Sequence, residues 1–340
     1  MFKVSKIKLL GLSLVLLSLL PLAAQAQDEG VLYRISLDSG NSDFSRYDIA
    51  TDTWTTLTPF SSGSQMATSA DGRLFGWNSS AGEIQEYDPI NDTWSFAQVA
   101  PPATQAYGNL EYRANGEWVY TATSNSTLYY TIAGVWQTLA LPFSTNAIGD
   151  YDPVTDTLVI GQYQSSFFHA IDMGSLSITS FTTDGSGNGE RSRCGQIRNG
   201  RFYYETASNP LRYLDLSDNT AAPVDVAPSF GFFPTCAVSE TAEEMYILSL
   251  EGLTLSRLDL PDSNSTPLSG HTSVGNHSSI TWVGASEALD YAAFTVTKTF
   301  SDGLIADVEV AISCNDGFVN ADSAIISSDG GSFRFVVTDF

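Results

Sequence analysis

The feature that most constrains the fold is an eight-residue phrase that occurs twice, forty residues apart. The chain reads YDIATDTW at 47–54 and YDPINDTW at 87–94. Four weaker copies follow. Each copy is marked by the residue directly after the first Tyr of the phrase, or after the aromatic or aliphatic residue that replaces this Tyr. The markers are Asp48, Asp88, Thr131, Asp172, Asp215 and Asp259, at intervals of 40, 43, 41, 43 and 44 residues. Six units of this length, each with room for about four short strands, match the blades of a β-propeller.

The local pattern within each unit predicts strands. Short runs such as RLFGWN, EWVYTAT and TLVIGQY alternate or are rich in β-branched and aromatic residues. Clusters of Gly, Asn, Asp and Ser separate these runs, and Asp-Gly or Asn-Gly turns stand at 71–72, 115–116 and 199–200. The expected class is therefore all-β.

The first unit has one strand fewer than the other units, and this difference predicts how the ring closes. Residues 31–58 supply three strands, VLYRISL, FSRYDI and TWTTLT, and no innermost one. One spare strand, HSSITWVGA at 277–285, follows the sixth unit. We expect this strand to complete the first blade, because closure removes the exposed sheet edges of an open ring. The prediction is a six-bladed propeller over residues 27–288.

The two full copies, with Tyr and Trp seven positions apart around DIATD and DPIND, resemble kelch repeats. The double glycine that marks kelch repeats after the second strand is missing from all six units. The resemblance implies a kelch-like six-bladed propeller, and such propellers serve as binding platforms more often than as enzymes. The fold alone does not decide between these functions.

The repeat stops near Ala292 and the pattern changes. Four strands are predicted here, AFTVTKTF, ADVEVAISC, SAIISS and SFRFVVTDF. They resemble strands of the immunoglobulin-like or Cna-B-like modules of bacterial exported proteins. We expect a small antiparallel β module at 289–340. Its four strands are fewer than the roughly seven of a sandwich, so it is either truncated or pairs its open edge with another chain. Cys314 has no partner cysteine within it.

The first 26 residues are predicted to be a cleaved signal peptide. Lys3, Lys6 and Lys8 precede an apolar stretch, Leu9–Leu22, and Ala24-Gln25-Ala26 offers a cleavage site. The stretch has 14 residues, fewer than the roughly 20 that span a bilayer. We therefore expect a bacterial protein that is secreted, periplasmic or on the cell surface, and that has no membrane span.

The charge of the chain narrows the choice of partners. The leader holds three of the 15 basic residues and none of the 38 acidic ones, which leaves 12 against 38 and a formal charge of −26. Such a field repels nucleic acid and anionic lipid. The excess of acidic residues is explained either by solubility or by an acidic binding face. No cofactor is predicted; calcium could bind acidic loops, but no Ca²⁺-loop motif occurs.

The mouth of the axial channel is the predicted ligand site. Aligning the turns places polar residues at the start of each innermost strand: Gln65, Asn109, Asn146, Arg193, Thr235 and His277. Glu190 joins them from the Gly-rich loop 184–194, which either contacts the ligand or simply connects two blades in solvent. None of the six rim positions is acidic, which argues against a metal site and against catalysis there. We assign no catalytic and no metal-binding residue.

Two cysteines take equivalent places in adjacent units. Cys194 and Cys236 each open an innermost strand, so they form either a disulfide bond or two buried thiols. The recurring Trp54, Trp94 and Trp136 are expected to pack one blade on the next.

Three functions remain at this point. The first is an exported platform that binds a protein or a glycan at the cell exterior. The second is a hydrolase or lyase with its site in the axial channel. The third is a structural part of a surface assembly, joined by strand pairing through the C-terminal module.

Overall fold

The computed structural model describes 16 segments of the chain. They are residues 30–38, 41–59, 65–69, 72–78, 80–103, 108–183, 194–206, 209–231, 234–239, 242–249, 253–271, 278–283, 294–299, 305–310, 326–328 and 331–333.

The first blade contains both ends of the propeller. Its strands are β1 (Val31–Asp38), β2 (Asn41–Asp48), β3 (Thr53–Thr56) and the late strand β24 (Ser278–Val283). They lie in the order β24-β1-β2-β3, and β24 pairs with β1 in antiparallel register from Val31↔Val283 to Ser36↔Ser278. The predicted closure by a C-terminal innermost strand is confirmed.

The remaining five blades each follow the chain from the axis outward as a four-stranded antiparallel sheet. Blade 2 contains β4 (Met66–Thr68), β5 (Leu74–Asn78), β6 (Glu83–Asp88) and β7 (Thr93–Val99). Blade 3 contains β8 (Gly108–Tyr112), β9 (Trp118–Ala122), β10 (Thr127–Ile132) and β11 (Val135–Ala140). Blade 4 contains β12 (Thr145–Asp152), β13 (Thr157–Gln162), β14 (Phe167–Asp172) and β15 (Ile178–Thr182). Blade 5 contains β16 (Gly195–Arg198), β17 (Arg201–Tyr204), β18 (Leu211–Asp215) and β19 (Val224–Ala227). Blade 6 contains β20 (Thr235–Val238), β21 (Glu244–Ser249), β22 (Thr254–Asp259) and β23 (Ser265–Leu268).

The C-terminal segment forms two antiparallel strand pairs in its described residues. β25 (Phe294–Thr299) pairs with β26 (Ile305–Val310), and β27 (Ile326–Ser328) pairs with β28 (Gly331–Phe333). The chain is thus all-β here as well. Cys314 lies outside the described residues, and the immunoglobulin-like assignment stays a prediction.

The hydrophobic core is divided among the junctions between blades. Each of six apolar clusters in the described residues joins two neighbouring blades, and together they cover all six junctions. At the closing junction, Leu32 and Trp282 of blade 1 pack with Tyr246 and Leu255 of blade 6. Burial of each such side chain stabilises the ring by about 1.5–3 kcal/mol, so blade-to-blade packing holds the propeller together.

The repeated phrase supplies polar contacts at the same junctions. It forms the turns between β2 and β3 and between β6 and β7. The Trp54 indole Nε1 donates a hydrogen bond of 2.8 Å to the Ser269 carbonyl of blade 6, and Trp136 Nε1 donates one of 2.8 Å to the Val99 carbonyl of blade 2. These tryptophans therefore connect the outer strands of neighbouring blades, as expected from their recurrence.

Candidate functional site

An axial cavity of about 590 Å³ is the principal candidate site in the described part of the chain. All six innermost strands, β4, β8, β12, β16, β20 and β24, contribute residues to its wall. The inner turns of blades 4 and 5 also line it, through residues 153–155 and 199–200. The cavity therefore opens on the face that carries the turns between the first and second strands of each blade.

Polar side chains of several kinds line this cavity. They comprise amides, hydroxyls, three carboxylates from blades 3 and 4 and one guanidinium near the inner turns. The lining residues of these kinds include Gln65, Asn109, Glu111, Asp150, Asp152, Gln196, Arg198, Thr235, Ser279 and Thr281. Such a wall offers hydrogen-bond donors and acceptors in every direction around a ligand.

Some of these side chains also link the innermost strands to one another. Asp150 Oδ2 accepts a hydrogen bond of 2.5 Å from the backbone N–H of Ile197 in the next blade. Gln196 Oε1 accepts one of 3.1 Å from Val238 N, again one blade further on. Thr235 Oγ1 continues the series across the closing junction and accepts one of 3.2 Å from Ile280 N. A polar residue at the rim can thus serve to link neighbouring blades, whether or not it contacts a ligand.

Glu111 and Asp150 give the cavity its chemical character. Burial among the innermost strands, together with the nearby negative charge of Asp150, raises the pKa of Glu111 well above its usual value. The neighbouring Asn109 amide opposes this shift. Glu111 therefore holds a proton more tightly than an ordinary glutamate does, while Asp150 is an acceptor for the Ile197 N–H. The wall thus places a glutamate of raised proton affinity near a second acid whose oxygen accepts a backbone hydrogen bond.

The structure brings three of the seven predicted ligand residues into this wall. Gln65, Asn109 and Thr235 line the cavity. Asn146 does not: it is buried, its Oδ1 accepts a hydrogen bond of 2.8 Å from Ile148 N, and its amide packs on Gly161. Glu190, Arg193 and His277 lie outside the described residues.

Sequence reasoning did not select Glu111, Asp150 or Asp152, because it considered only the position at the start of each innermost strand. Glu111 is two residues beyond the predicted Asn109, and residues two apart share a face of a strand, so period-two alternation could have found it. Asp150 is four residues beyond the predicted Asn146, again an even spacing. The register of β12 shifts between Thr145 and Gly149, so strict alternation does not hold between the two positions, and Asn146 is buried while Asp150 lines the cavity.

His169 lies in the body of blade 4, away from the cavity wall. Its ring stacks on Phe143 at a centroid distance of 3.6 Å. Nδ1 lies 3.0 Å from Ser180 Oγ and Nε2 lies 3.0 Å from Gln162 Oε1. Burial lowers the pKa of this imidazole to about 4, so it is neutral near pH 7 and serves the packing of its blade.

His271 lies at the closing junction and does not form a catalytic triad. Ser45 Oγ approaches its Nε2 at 3.1 Å, Arg34 Nη1 at 3.4 Å and Asp43 Oδ2 at 3.8 Å. A triad base uses one ring nitrogen for the nucleophile and the other for the carboxylate. Here all three groups approach the same nitrogen, so the cluster links blade 1 to the end of blade 6.

Cys194 and Cys236 are joined in a disulfide bond between blades 5 and 6, with a Cα–Cα distance of 4.7 Å. Both residues are buried. Cys236 lines the axial cavity as well, so the bond lies in its wall.

Two further classes of site were sought in the described segments. They contain no group of three or more His, Cys, Asp or Glu side chains arranged to hold a metal ion. The same segments include no helix of the length and apolar character that crossing a membrane requires.

Comparisons with known proteins support the fold. No family model matches the chain, and neither does any curated protein. A chain from the crystal structure of a nidogen–laminin complex superposes with a TM-score of 0.58 at 10% identity, over 74% of this chain and 98% of that one. A streptogramin B lyase superposes with a TM-score of 0.50 at 10% identity, over 83% and 88% of the two chains. At this identity the likeness shows a β-propeller and leaves the function open.

Proposed function

We propose that this protein is an exported β-propeller that binds a polar ligand, a glycan or a segment of a protein, in its axial cavity at the bacterial cell exterior. The single observation that carries the proposal is the cavity of about 590 Å³, to which all six blades contribute. Ligand sites in proteins commonly have volumes of about 300–1,000 Å³. Amides, hydroxyls and carboxylates around the wall suit the hydroxyl groups of a sugar or the amides of a peptide.

The structural neighbours are consistent with a binding role. One of them is a chain of a nidogen–laminin complex, so a propeller of this fold takes part in a protein assembly. Export is supported by the predicted leader at 1–26. N-terminal sequencing of protein from the periplasm or the medium tests it: a mature chain that begins near Gln27 supports export, and an intact Met1 in the cytoplasm contradicts it.

The decisive experiment is a glycan array combined with binding of cell-surface protein extracts, followed by variants of Glu111. We expect Glu111→Ala to weaken binding of the identified ligand by about 10- to 100-fold, because it removes a hydrogen-bonding group from the wall. Glu111→Gln should keep most of the affinity, since an amide also donates from this position. Glu86→Gln in β6, outside the residues that line the cavity, is the control.

A second candidate function, a hydrolase or lyase, is favoured by one specific observation. A glutamate with a raised pKa beside a second carboxylate is the arrangement that general acid–base catalysis uses. A lyase is also among the proteins of similar fold. Glu111→Gln separates the two functions. Under the binding proposal, the variant still binds the ligand, and neither the variant nor the unaltered protein converts it to a product. If Glu111 is catalytic, the unaltered protein converts the ligand and the variant does not.

A further inference from the structure

The outer half of blade 3 has an unexpected composition for so acidic a protein. Residues 118–149 contain no Asp, Glu, Lys or Arg, the longest such stretch in a chain that has 38 acidic and 15 basic residues. This stretch includes β9, β10 and the outermost strand β11. The three outer strands of the blade therefore carry no charged side chain on either face.

The strand β11 is also the open edge of its sheet, whose order is β11-β10-β9-β8. An edge strand directs alternate backbone N–H and C=O groups away from its sheet, where a strand of another chain can pair with them. Proteins protect such edges by short strands, charges or proline. Four of the six outer strands have only four or five residues, and two of these carry Asp225 or Pro267. The six-residue β11 has no charge and no proline.

The other long outer strand, β7 of blade 2, is flanked by acids. Its neighbour β6 places Glu83 opposite Val99 and Glu86 opposite Ser95. The neighbour of β11 is β10, which contains no charged residue. Of the two long outer strands, β11 is therefore the one that an acidic molecule can approach with less repulsion.

Exposed apolar side chains surround one end of β11. Ile132 and Val135 flank the turn between β10 and β11 and are 58% and 61% exposed. Val99 of blade 2 is 59% exposed, and its carbonyl accepts the hydrogen bond from Trp136 of β11. Single exposed apolar residues are ordinary, but several at one junction are typical of an interaction surface.

We propose that β11 pairs with β11 of a second copy of this chain, in an antiparallel two-fold dimer through blade 3. A two-fold axis places the same strand on both sides of the interface, so a charge at the centre of β11 would lie close to its own copy. Without residues 1–26 the chain has 12 basic and 38 acidic residues, and two copies repel each other at their charged surfaces. An uncharged open edge is the surface through which such copies can associate.

The dimer would join two four-stranded blades into one continuous sheet. The outward backbone groups of β11 would then have hydrogen-bond partners. Val135 of each copy would lose exposed apolar surface against the far end of the other β11. The axial cavity lies on the opposite side of the blade from β11, so this inference is independent of the ligand proposed above.

Sedimentation velocity of the mature protein, at increasing protein concentration and increasing NaCl, tests the proposal. We expect a monomer–dimer equilibrium in which added salt raises the dimer fraction, because screening weakens the repulsion between acidic copies. A monomer under all these conditions overturns the proposal. A dimer that salt dissociates also overturns it, because such a dimer is held by ion pairs.

Matched variants locate the interface. Thr138 is exposed near the centre of β11. Thr138→Asp and Thr138→Lys should each weaken the dimer by about tenfold or more, because each places like charges close together across the axis. Thr179→Asp, at an exposed position of the outer strand β15, is the control and should leave the dimer unchanged. Equal weakening by Thr138→Asp and Thr179→Asp would show an effect of net charge alone and contradict the proposal.

An equimolar mixture of the two Thr138 variants separates a lost interface from a lost fold. The mixture should form dimers again, because opposite charges then lie close together across the axis. No recovery, in variants whose circular dichroism matches that of the unaltered protein, contradicts the two-fold pairing. If neither Thr138 variant weakens the dimer, the chains associate through another surface, such as the C-terminal strand pairs, and the proposal fails.

Discussion

At the scale of single residues, Glu111 and Asp150, two of the cavity carboxylates, differ in the contacts that surround them. Asp150 accepts a hydrogen bond from the Ile197 N–H of the next blade. Glu111 is desolvated and lies in the field of Asp150, and both effects raise its pKa. Residue types alone could not have told these two acids apart, because the difference depends on a contact between residues 47 positions apart.

Replacing Asp150 by Asn should lower the pKa of Glu111. The variant removes the negative charge and keeps an oxygen that can accept from Ile197 N. Because burial is the larger cause of the shift, we expect the pKa to fall and still stay above that of an ordinary glutamate. Titration of the Glu111 side-chain carboxyl carbon by ¹³C NMR measures it. An unchanged titration curve would show that Asp150 has no influence on Glu111.

Glu205 is a buried acid that does not line the axial cavity. It is fully buried, and its Oε1 accepts hydrogen bonds from Ser229 Oγ at 2.8 Å and from Phe230 N at 2.9 Å. Its Oε2 is buried and has no hydrogen-bond partner among the described residues. Burial is the main cause that raises the pKa of Glu205 to about 7. The ionised form is thus disfavoured in the folded chain.

This shift predicts a pH dependence of stability. A carboxyl whose pKa is higher in the folded chain holds its proton more tightly there, so the free energy of unfolding falls as the pH rises from about 4.5 to about 7. The loss is at most about 3 kcal/mol. Glu205→Gln cannot ionise, so its stability should fall less between pH 5 and pH 8 than that of the unaltered protein. Urea unfolding at both pH values measures this, with Glu243→Gln as control. Equal pH dependence in all three proteins would refute it.

At the scale of elements, the repeated phrase is a turn that also binds the neighbouring blade. Tyr87 Oη donates a hydrogen bond of 2.8 Å to Asp92 Oδ1. The same carboxylate accepts hydrogen bonds from Thr58 of blade 1, from N at 3.0 Å and from Oγ1 at 2.8 Å. Asp52 contacts Tyr47 and Ser269 of blade 6 in the same way. The sequence showed the turn and the aromatic packing, but it could not show that the aspartate connects two blades.

A similar phrase outside the six-unit series, YDPVTDT at 151–157, shows that the motif alone does not locate the blades. Tyr151 Oη donates a hydrogen bond of 2.8 Å to Asp156 Oδ1, and Asp156 binds Arg113 of blade 3. This copy, YDPVTDT, forms the inner turn between β12 and β13, whereas the first two form outer turns. The motif therefore specifies a local turn with a link to the next blade, and only the 40-residue period specifies the blade.

Asp92→Ala should destabilise the protein more than Asp92→Asn. Asp92 has φ of 51°, a conformation that Asn tolerates and Ala does not. Alanine also removes the acceptor for Tyr87 and Thr58. We expect a loss of about 2–3 kcal/mol for Ala and about 1 kcal/mol for Asn, after allowance for screening of this partly exposed group. Chemical denaturation of both variants measures the difference, and equal losses would show that the acceptor and the backbone conformation contribute nothing.

At the scale of the whole molecule, the ring is closed by several independent contacts. The β1–β24 pairing joins the two ends of the propeller, and Trp282 of β24 is buried in the cluster between blades 1 and 6. Gly30, at φ of 67°, precedes β1, and a Cβ there would lie 2.7 Å from the Trp282 indole nitrogen. The strand count of the first unit was enough to predict this closure, because every other blade already had four strands.

The disulfide bond between Cys194 and Cys236 adds a covalent link to one junction of this ring. It closes a loop across 42 positions of sequence, for which loop entropy gives a stabilisation of about 4 kcal/mol as an upper value. The free energy of unfolding of the Cys194→Ala/Cys236→Ala variant should therefore be about 2–4 kcal/mol lower. The variant should unfold at a lower urea concentration. Its unfolding should match that of the unaltered protein measured in reductant.

The same bond reports on the compartment in which the protein folds. Disulfides persist in oxidising surroundings such as the periplasm and are rare in the cytosol, so protein exported through its predicted leader should carry the bond. Protein expressed without residues 1–26 in a reducing cytoplasm should carry both Cys194 and Cys236 as free thiols. Mass spectrometry of alkylated, unreduced samples distinguishes the two forms. If the exported protein is alkylated at both cysteines, the covalent link between blades 5 and 6 is absent and their junction depends on packing and on the Gln196–Val238 hydrogen bond.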